Sequence, residues 1–117
     1  MDERPEALDP DVTLTWVQIL YEHGRIEAAM PYADKMVAQQ PRNSIAALWK
    51  ARLLAGSGHT DEAIKEAELS VSLAPGLPFA RTLLLGLYRK TGRERDAERE
   101  IEWLRNFNDR AAAGRGR

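Results

Sequence analysis

The chain has 117 residues, 44% hydrophobic and 30% charged, a composition that can form the core and the polar surface of one small domain. Its 17 Lys and Arg nearly balance its 18 Asp and Glu, which argues against nucleic acid or an anionic membrane as a partner. The absence of cysteine excludes disulfides, thiolate metal ligands and a cysteine nucleophile. No apolar run approaches the ~18 residues of a membrane span, and the acidic start, MDERPEALDP, is unlike a signal peptide. We therefore expect a cytoplasmic protein, or a domain of a larger protein whose compartment the sequence does not indicate.

A repeat of 34 residues runs along the chain. Glycine recurs at this interval, at Gly24, Gly58 and Gly92. Alanine follows each glycine after five residues, at Ala29, Ala63 and Ala97. Proline recurs at the same interval, at Pro41 and Pro75. Agreement of independent positions on one period predicts three repeat units, 10–43, 44–77 and 78–111, between an N-terminal leader (1–9) and a flexible tail (112–117).

Each unit has the pattern of two helices joined by a short turn. Asp9 and Asn43 are suited to cap the first helix, and Pro10 and Pro78 to occupy its first position. The repeated glycine favours the left-handed backbone that ends this helix, and the repeated proline ends the second helix. The repeated alanine is small enough for the two helices to cross closely. Pro31 falls inside the second helix of the first unit, which predicts a late start or a kink there.

The 34-residue helix–turn–helix unit resembles the tetratricopeptide repeat, and the resemblance covers nearly the whole chain. It implies an all-α fold, an α–α superhelix (a tetratricopeptide solenoid) of three helix–turn–helix repeats that share one continuous core. Lys50 is the clearest departure, since it stands where the family usually has leucine. We expect either that its stem covers apolar surface while the ammonium group reaches water, or that the first helix of this repeat is slightly rotated.

The polar residues give little sign of catalytic or metal chemistry. His23 and His59 fall beside turn glycines of neighbouring repeats, where a shared metal is conceivable. No further donors stand at ligand spacing, so we interpret both as exposed turn residues and expect no metal site. No nucleophile, base and oxyanion-binding group can be assembled, so we expect neither an enzyme nor a cofactor. From Arg93 onward, acidic and basic residues mix at helical spacing as on a solvated helix face, and nucleic-acid binding is not expected.

The resemblance also implies a concave groove lined by the first helices of the three repeats. The corresponding positions form a largely apolar set of groove residues, Leu14, Gln18, Tyr21, Ile45, Leu48, Trp49, Arg52, Phe79, Leu83 and Arg89. Some members of the family use a clamp of Lys, Asn and Arg to bind a C-terminal carboxylate, and the matching positions here lack it. We therefore do not expect binding of a chaperone tail. In an alternative interpretation, several groove residues are ordinary core and the register of the second repeat is off by one.

The groove set favours a non-enzymatic scaffold for protein–protein interaction, which binds an apolar or amphipathic segment of a protein or peptide partner. Trp49 and Tyr21 are the expected anchors, and Arg52, Arg89 and Lys90 would select an acidic flank on the partner.

A second hypothesis is structural self-assembly, in which a homodimer forms through the groove or through the last helix. No polar-faced capping helix follows residue 111, and repeat arrays usually need one. Trp103 and Phe107 could therefore pack against a partner copy.

Overall fold

The computed structural model describes residues 9–115, and these residues form six α-helices and no strand. In chain order the helices are α1 (Pro10–Glu22), α2 (Ile26–Gln39), α3 (Ser44–Gly56), α4 (Thr60–Leu73), α5 (Pro78–Lys90) and α6 (Glu94–Arg115). Each helix packs against the next along the chain. The predicted all-α fold of three helix–turn–helix repeats is confirmed. The predicted leader lies outside the described residues except for Asp9.

The first helix of each repeat begins and ends as its sequence predicts. The Asp9 carboxylate accepts a hydrogen bond from the backbone N–H of Val12 at 3.0 Å, and the Asn43 side chain accepts one from Ile45 at 2.9 Å. The turn glycines have φ values of 73°, 87° and 74°, which only glycine adopts at little cost. In each turn, the N–H after the glycine donates to the carbonyl five residues earlier, at 2.8 to 2.9 Å. This repeated hydrogen bond gives the three hairpins the same geometry.

The core runs continuously through the three repeats. The repeated alanines are buried where the helices of each hairpin cross. One apolar cluster joins α1, α2 and α3 around Val17 and Leu53, and a second joins α3, α4, α5 and α6 around Leu54 and Leu84. The radius of gyration is 15.5 Å, whereas a compact domain of this length has about 13 Å. The molecule is therefore less compact than a globular domain of the same length, and α3 contributes to both clusters.

The prediction of a late start at Pro31 is wrong. Helix α2 begins at Ile26, at the same repeat position as Thr60 in α4, and it continues through Pro31 to Gln39. Proline removes the N–H that would bond to the Glu27 carbonyl. Pro31 and Glu27 are both exposed, so water can hydrate that carbonyl and the helix need not end there.

The last helix extends into the segment for which the sequence predicts a flexible tail. Helix α6 has 22 residues and continues to Arg115, beyond the end of the third repeat unit. Residues 111–113 are consecutive alanines, and alanine has the highest intrinsic helix propensity. The high helix propensity of these alanines outweighs the low helix propensity of Gly114, which follows them. Residues 116 and 117 lie outside the described part of the chain.

Lys50 lies between the two second helices that flank α3. Its Nζ is 3.3 Å from Asp34 Oδ1 in α2 and 4.0 Å from Glu66 Oε1 in α4. The side chain is partly exposed, and Asp34 is largely exposed. This placement agrees with the interpretation that the ammonium group reaches water. The lysine thereby connects carboxylates from consecutive repeats.

The outer side of α6 is charged where the corresponding sides of the earlier second helices are apolar. Ile64 of α4 is buried in the second cluster, and Met30 of α2 packs against it at the equivalent position. The equivalent residue in α6 is Glu98, which is exposed. Likewise Val71 packs against the cluster, and its equivalent Arg105 is exposed. The charges of Glu98 and Arg105 therefore give α6 a polar outer side at these two positions, as in a capping helix.

Candidate partner-binding face

The first helices α1, α3 and α5 lie side by side, since α1 contacts α3 and α3 contacts α5. All ten predicted groove residues belong to these three helices. We call the side that they form the groove face. The burial of these residues divides the groove face into a largely filled part on α1 and α3 and an open part on α5.

Leu48 and Trp49 are core residues. They are 4% and 9% exposed, and the Trp49 ring packs in the first cluster. The Tyr21 ring meets it edge-on with 5.3 Å between centroids, and the Arg52 guanidinium lies 4.7 Å from its centroid. The prediction of Trp49 as an exposed anchor is therefore wrong. The reason is that α3 is the central helix and is covered from several sides, whereas sequence position alone cannot distinguish these sides.

The other groove residues of the first two repeats are partly exposed. Leu14, Tyr21 and Ile45 pack with one side against the first cluster and keep part of their surface in solvent. Gln18 and Arg52 are also partly exposed. In the first two repeats the groove face thus contains partly exposed apolar side chains. Tyr21 and Arg52 lie over the buried Trp49.

The open part of the groove face is a stripe along α5. Phe79 is 54% exposed, the highest fraction among the exposed large hydrophobic residues in the described chain. Leu83 is partly exposed, and Gly86, Arg89 and Lys90 are exposed. Their spacing of three to four residues places them on one side of the helix. Gly86 and Lys90 also occupy groove positions of the third repeat that the resemblance to the tetratricopeptide repeat implies.

Three cations of the groove face have no acidic partner within the part of the chain that the structure describes. Arg52, Arg89 and Lys90 form no ion pair there. Arg89 and Lys90 occupy the last turn of α5, where the helix dipole favours positive charge. This end of the groove face is therefore basic and free to interact with an external carboxylate.

Trp103 and Phe107 belong to α6 and not to the groove face. Their rings stack with 5.3 Å between centroids and 13° between planes, and both are partly exposed. The Arg81 guanidinium lies 4.3 Å from the Trp103 ring centroid and is 2.9 Å from Glu100 Oε1. The aromatic pair borders a surface cleft that is also lined by Gly76, Arg110 and Ala111.

The histidines and the acidic residues form no metal centre in residues 9–115, where no three His, Asp or Glu side chains are arranged to hold an ion. His23 Nδ1 lies 2.8 Å from the Ile19 carbonyl oxygen, so the ring caps the end of α1 when this nitrogen carries a proton. Across the same residues, no helix is both long enough and apolar enough to cross a membrane.

Three hairpins in a 34-residue register define an α-helical repeat solenoid. A family model described as a tetratricopeptide repeat matches residues 20–76, and this match supports assignment of the chain to the tetratricopeptide repeat family. A curated relative is the TPR repeat-containing thioredoxin TTL4 of Arabidopsis thaliana, which is 29% identical over 83 residues. The match covers 71% of this chain and 12% of that protein. The chain thus corresponds to a small part of this relative.

Solved structures of MamA have the same fold. A double mutant, MamA RS-1 ArsTM, superimposes with a TM-score of 0.83 at 14% identity, over 87% of this chain and 57% of that one. MamA 41-end from Desulfovibrio magneticus RS-1 has a TM-score of 0.69 at 16% identity, over 86% and 55%. These identities are low, so the likeness shows the fold alone. The chain spans little more than half the length of these structures.

Proposed function

We propose that this chain is a non-enzymatic protein-interaction module that binds an apolar or amphipathic segment of a partner protein on its groove face. Assignment to the tetratricopeptide repeat family supports a protein as the class of partner. Phe79 carries the proposal for the site, because it is a large apolar side chain that is more than half exposed. Contiguous exposed apolar surface usually marks an interaction site.

Burial of the apolar side chains of the groove face would stabilise a complex with a partner. Complete burial of a fully exposed phenylalanine side chain contributes about 1.5–3 kcal/mol, and Phe79, which is 54% exposed, would contribute about half of this. Leu83 lies one turn along α5, and Leu14, Tyr21 and Ile45 add partly exposed edges from the earlier repeats. A partner segment lying across the three first helices would contact all of these side chains.

Replacement of Phe79 by glutamate tests this proposal. We expect Phe79→Glu to lose the partners that the wild-type chain captures from its source lysate, because an acidic side chain would be buried against apolar atoms. Leu69→Glu is the matched control, since Leu69 is 38% exposed but lies on the second helix α4. Circular dichroism of both variants checks that the helices are retained. Retention of the same partners by Phe79→Glu would show that the groove face is not their binding site.

Self-association through α6 is a second candidate function. The partly exposed Trp103–Phe107 stack beside a cleft favours it, because stacked aromatic rings at a surface are common in interfaces. Analytical ultracentrifugation should then show a dimer that Phe107→Glu converts to a monomer. A wild-type monomer from micromolar to submillimolar concentration would contradict self-association.

A further inference from the structure

Gly86 lies inside α5 on the groove face, where no feature of the described fold requires a glycine. Its φ is not in the left-handed region, and an added Cβ would meet no other atom within 4 Å. Glycine in a helix interior costs about 1 kcal/mol relative to alanine. The chain therefore carries an unfavourable residue at an exposed position without a gain in its own packing.

Four other glycines of the described residues have a reason within the chain, and the two that lack one, Gly76 and Gly114, lie outside α1, α3 and α5. A Cβ at Gly56 would collide with the Ile26 side chain of α2, and the three turn glycines have positive φ. The positions equivalent to Gly86 in the first two repeats hold Gln18 and Arg52, which are long side chains. Of the three repeats, only the third therefore has no side chain at this position of the groove face.

The surroundings of Gly86 change from apolar to basic along α5. Phe79 and Leu83 precede it by seven and three residues, and Arg89 and Lys90 follow it by three and four. All lie on the exposed stripe of the helix. We call this set of five residues the Gly86 notch. The missing side chain allows an external group to approach the helix backbone more closely than over any other residue type.

We propose that the Gly86 notch receives a large apolar side chain of a partner protein segment that carries acidic residues one helical turn away. The proposal rests on the proposed function of the groove face and names the chemistry of its partner. The apolar side chain would pack over Gly86 beside Leu83, with Phe79 one further turn towards the start of α5. The acidic residues would then reach Arg89 and Lys90, which have no ion pair within the described residues.

The charge distribution favours this occupant over a nucleic acid. Two cations at one end of an apolar stripe match a short acidic flank, whereas a phosphate backbone needs a basic surface along its whole length. The formal net charge of the chain is −1, which gives no general attraction for polyanions.

Peptide selection with position-specific variants tests the notch. Short random peptides displayed on phage are selected on the immobilised wild-type chain, and enriched sequences are synthesised with a fluorescent label for anisotropy titrations. We expect enrichment of Leu, Phe or Trp followed three or four residues later by Asp or Glu. Gly86→Gln, which installs the side chain of the first repeat, should weaken binding by about tenfold or more. Ala38→Gln, on the exposed side of α2, should leave binding unchanged.

Thermal unfolding separates loss of the site from loss of the fold. Glutamine is a better helix former than glycine and has open space at position 86, so Gly86→Gln should unfold at a higher temperature than the wild type. Arg89→Glu should weaken binding and reduce its salt dependence, whereas Arg105→Glu, with the same charge change on α6, should not.

The outcomes distinguish the notch from the groove face as a whole. If the enriched peptides bind Gly86→Gln as tightly as the wild type but no longer bind Phe79→Glu, the proposal for the Gly86 notch is overturned. The proposed function of the groove face then remains intact. Enriched peptides without acidic residues overturn the charge preference and the proposal with it. If no peptide depends on Phe79 or Gly86, both the notch and the proposed function are overturned.

Discussion

Tyr88, in α5 of the third repeat, contacts α4 of the second repeat through its hydroxyl group and the turn before α6 through its ring. The ring is 2% exposed in the second cluster, at the repeat position where the earlier repeats have leucine. Its hydroxyl donates a hydrogen bond of 2.7 Å to Glu68 Oε2 in α4, and the Arg93 guanidinium lies 4.8 Å from its ring centroid. Burial raises the pKa of Tyr88 well above its ordinary value, and the hydrogen bond to the Glu68 carboxylate and its negative charge raise it further.

The raised pKa of Tyr88 predicts a loss of stability at alkaline pH. The folded state holds the phenolic proton more tightly than the unfolded state, whose tyrosine titrates near pH ~10. The contribution is therefore complete below pH ~10 and is lost as pH rises above it, at up to about 1.4 kcal/mol per pH unit. Urea unfolding followed by circular dichroism between neutral pH and pH ~11 measures this decline.

Tyr88→Phe isolates the part of this decline that belongs to Tyr88. The variant has no phenol to ionise at this position, so its free energy of unfolding should fall less steeply above pH ~10 than that of the wild type. Tyr21→Phe is the control, because it removes a partly exposed phenol of the groove face. An equal alkaline decline in the wild type and in Tyr88→Phe would contradict the proposed role of this residue.

At the residue scale, the sequence predicted which helices carry the groove residues better than it predicted their exposure. The sequence places both Trp49 and Phe79 in the groove, yet Trp49 is buried under Tyr21 and Arg52 whereas Phe79 is exposed. The difference depends on how many neighbouring helices cover each position. That coverage arises from tertiary packing and leaves no signal in the local hydrophobic period.

At the element scale, the helix ends that were predictable are those with a local chemical cause. Capping by Asp9 and Asn43 and the positive φ of the turn glycines follow from single residues and their immediate neighbours. The length of α6 and the continuation of α2 through Pro31 were not predictable in this way, because each depends on the balance of two competing local effects. Helix propensity outweighed glycine at the end of α6, and exposure of the freed carbonyl made proline tolerable in α2.

Pro31 should therefore lower the stability of α2 without determining its ends. Proline inside a helix costs about 3 kcal/mol, and this cost is partly offset because proline also restricts the unfolded chain. We expect Pro31→Ala to raise the free energy of unfolding by about 1–3 kcal/mol, measured by urea titration. Lys65→Ala is the matched control, since Lys65 occupies the same position in α4 and is also exposed. A gain no larger than that of Lys65→Ala would mean that the lost hydrogen bond costs little here.

At the scale of the whole molecule, stability depends on α3 more than on any terminal helix. In a repeat protein each unit contacts only its neighbours, so stability is approximately a sum of units and interfaces. Helix α3 packs against α2 and α4 and also contacts α1 and α5. Its residues Leu53 and Leu54 belong to different core clusters. Loosening α3 should therefore weaken both clusters, whereas loosening α1 should weaken one.

Hydrogen exchange of two matched variants tests this dependence. Val17 in α1 and Leu53 in α3 are both 0% exposed and belong to the same cluster, so they differ mainly in the helix that carries them. We expect Leu53→Ala, at a cost of about 2–5 kcal/mol, to speed amide exchange in all six helices. Val17→Ala should speed exchange in α1 and α2 and leave α5 and α6 near wild-type rates. The alternative result is that Val17→Ala also speeds amide exchange in α5 and α6, by the amount expected from its loss of global stability. This would mean that the three repeats open as one cooperative unit.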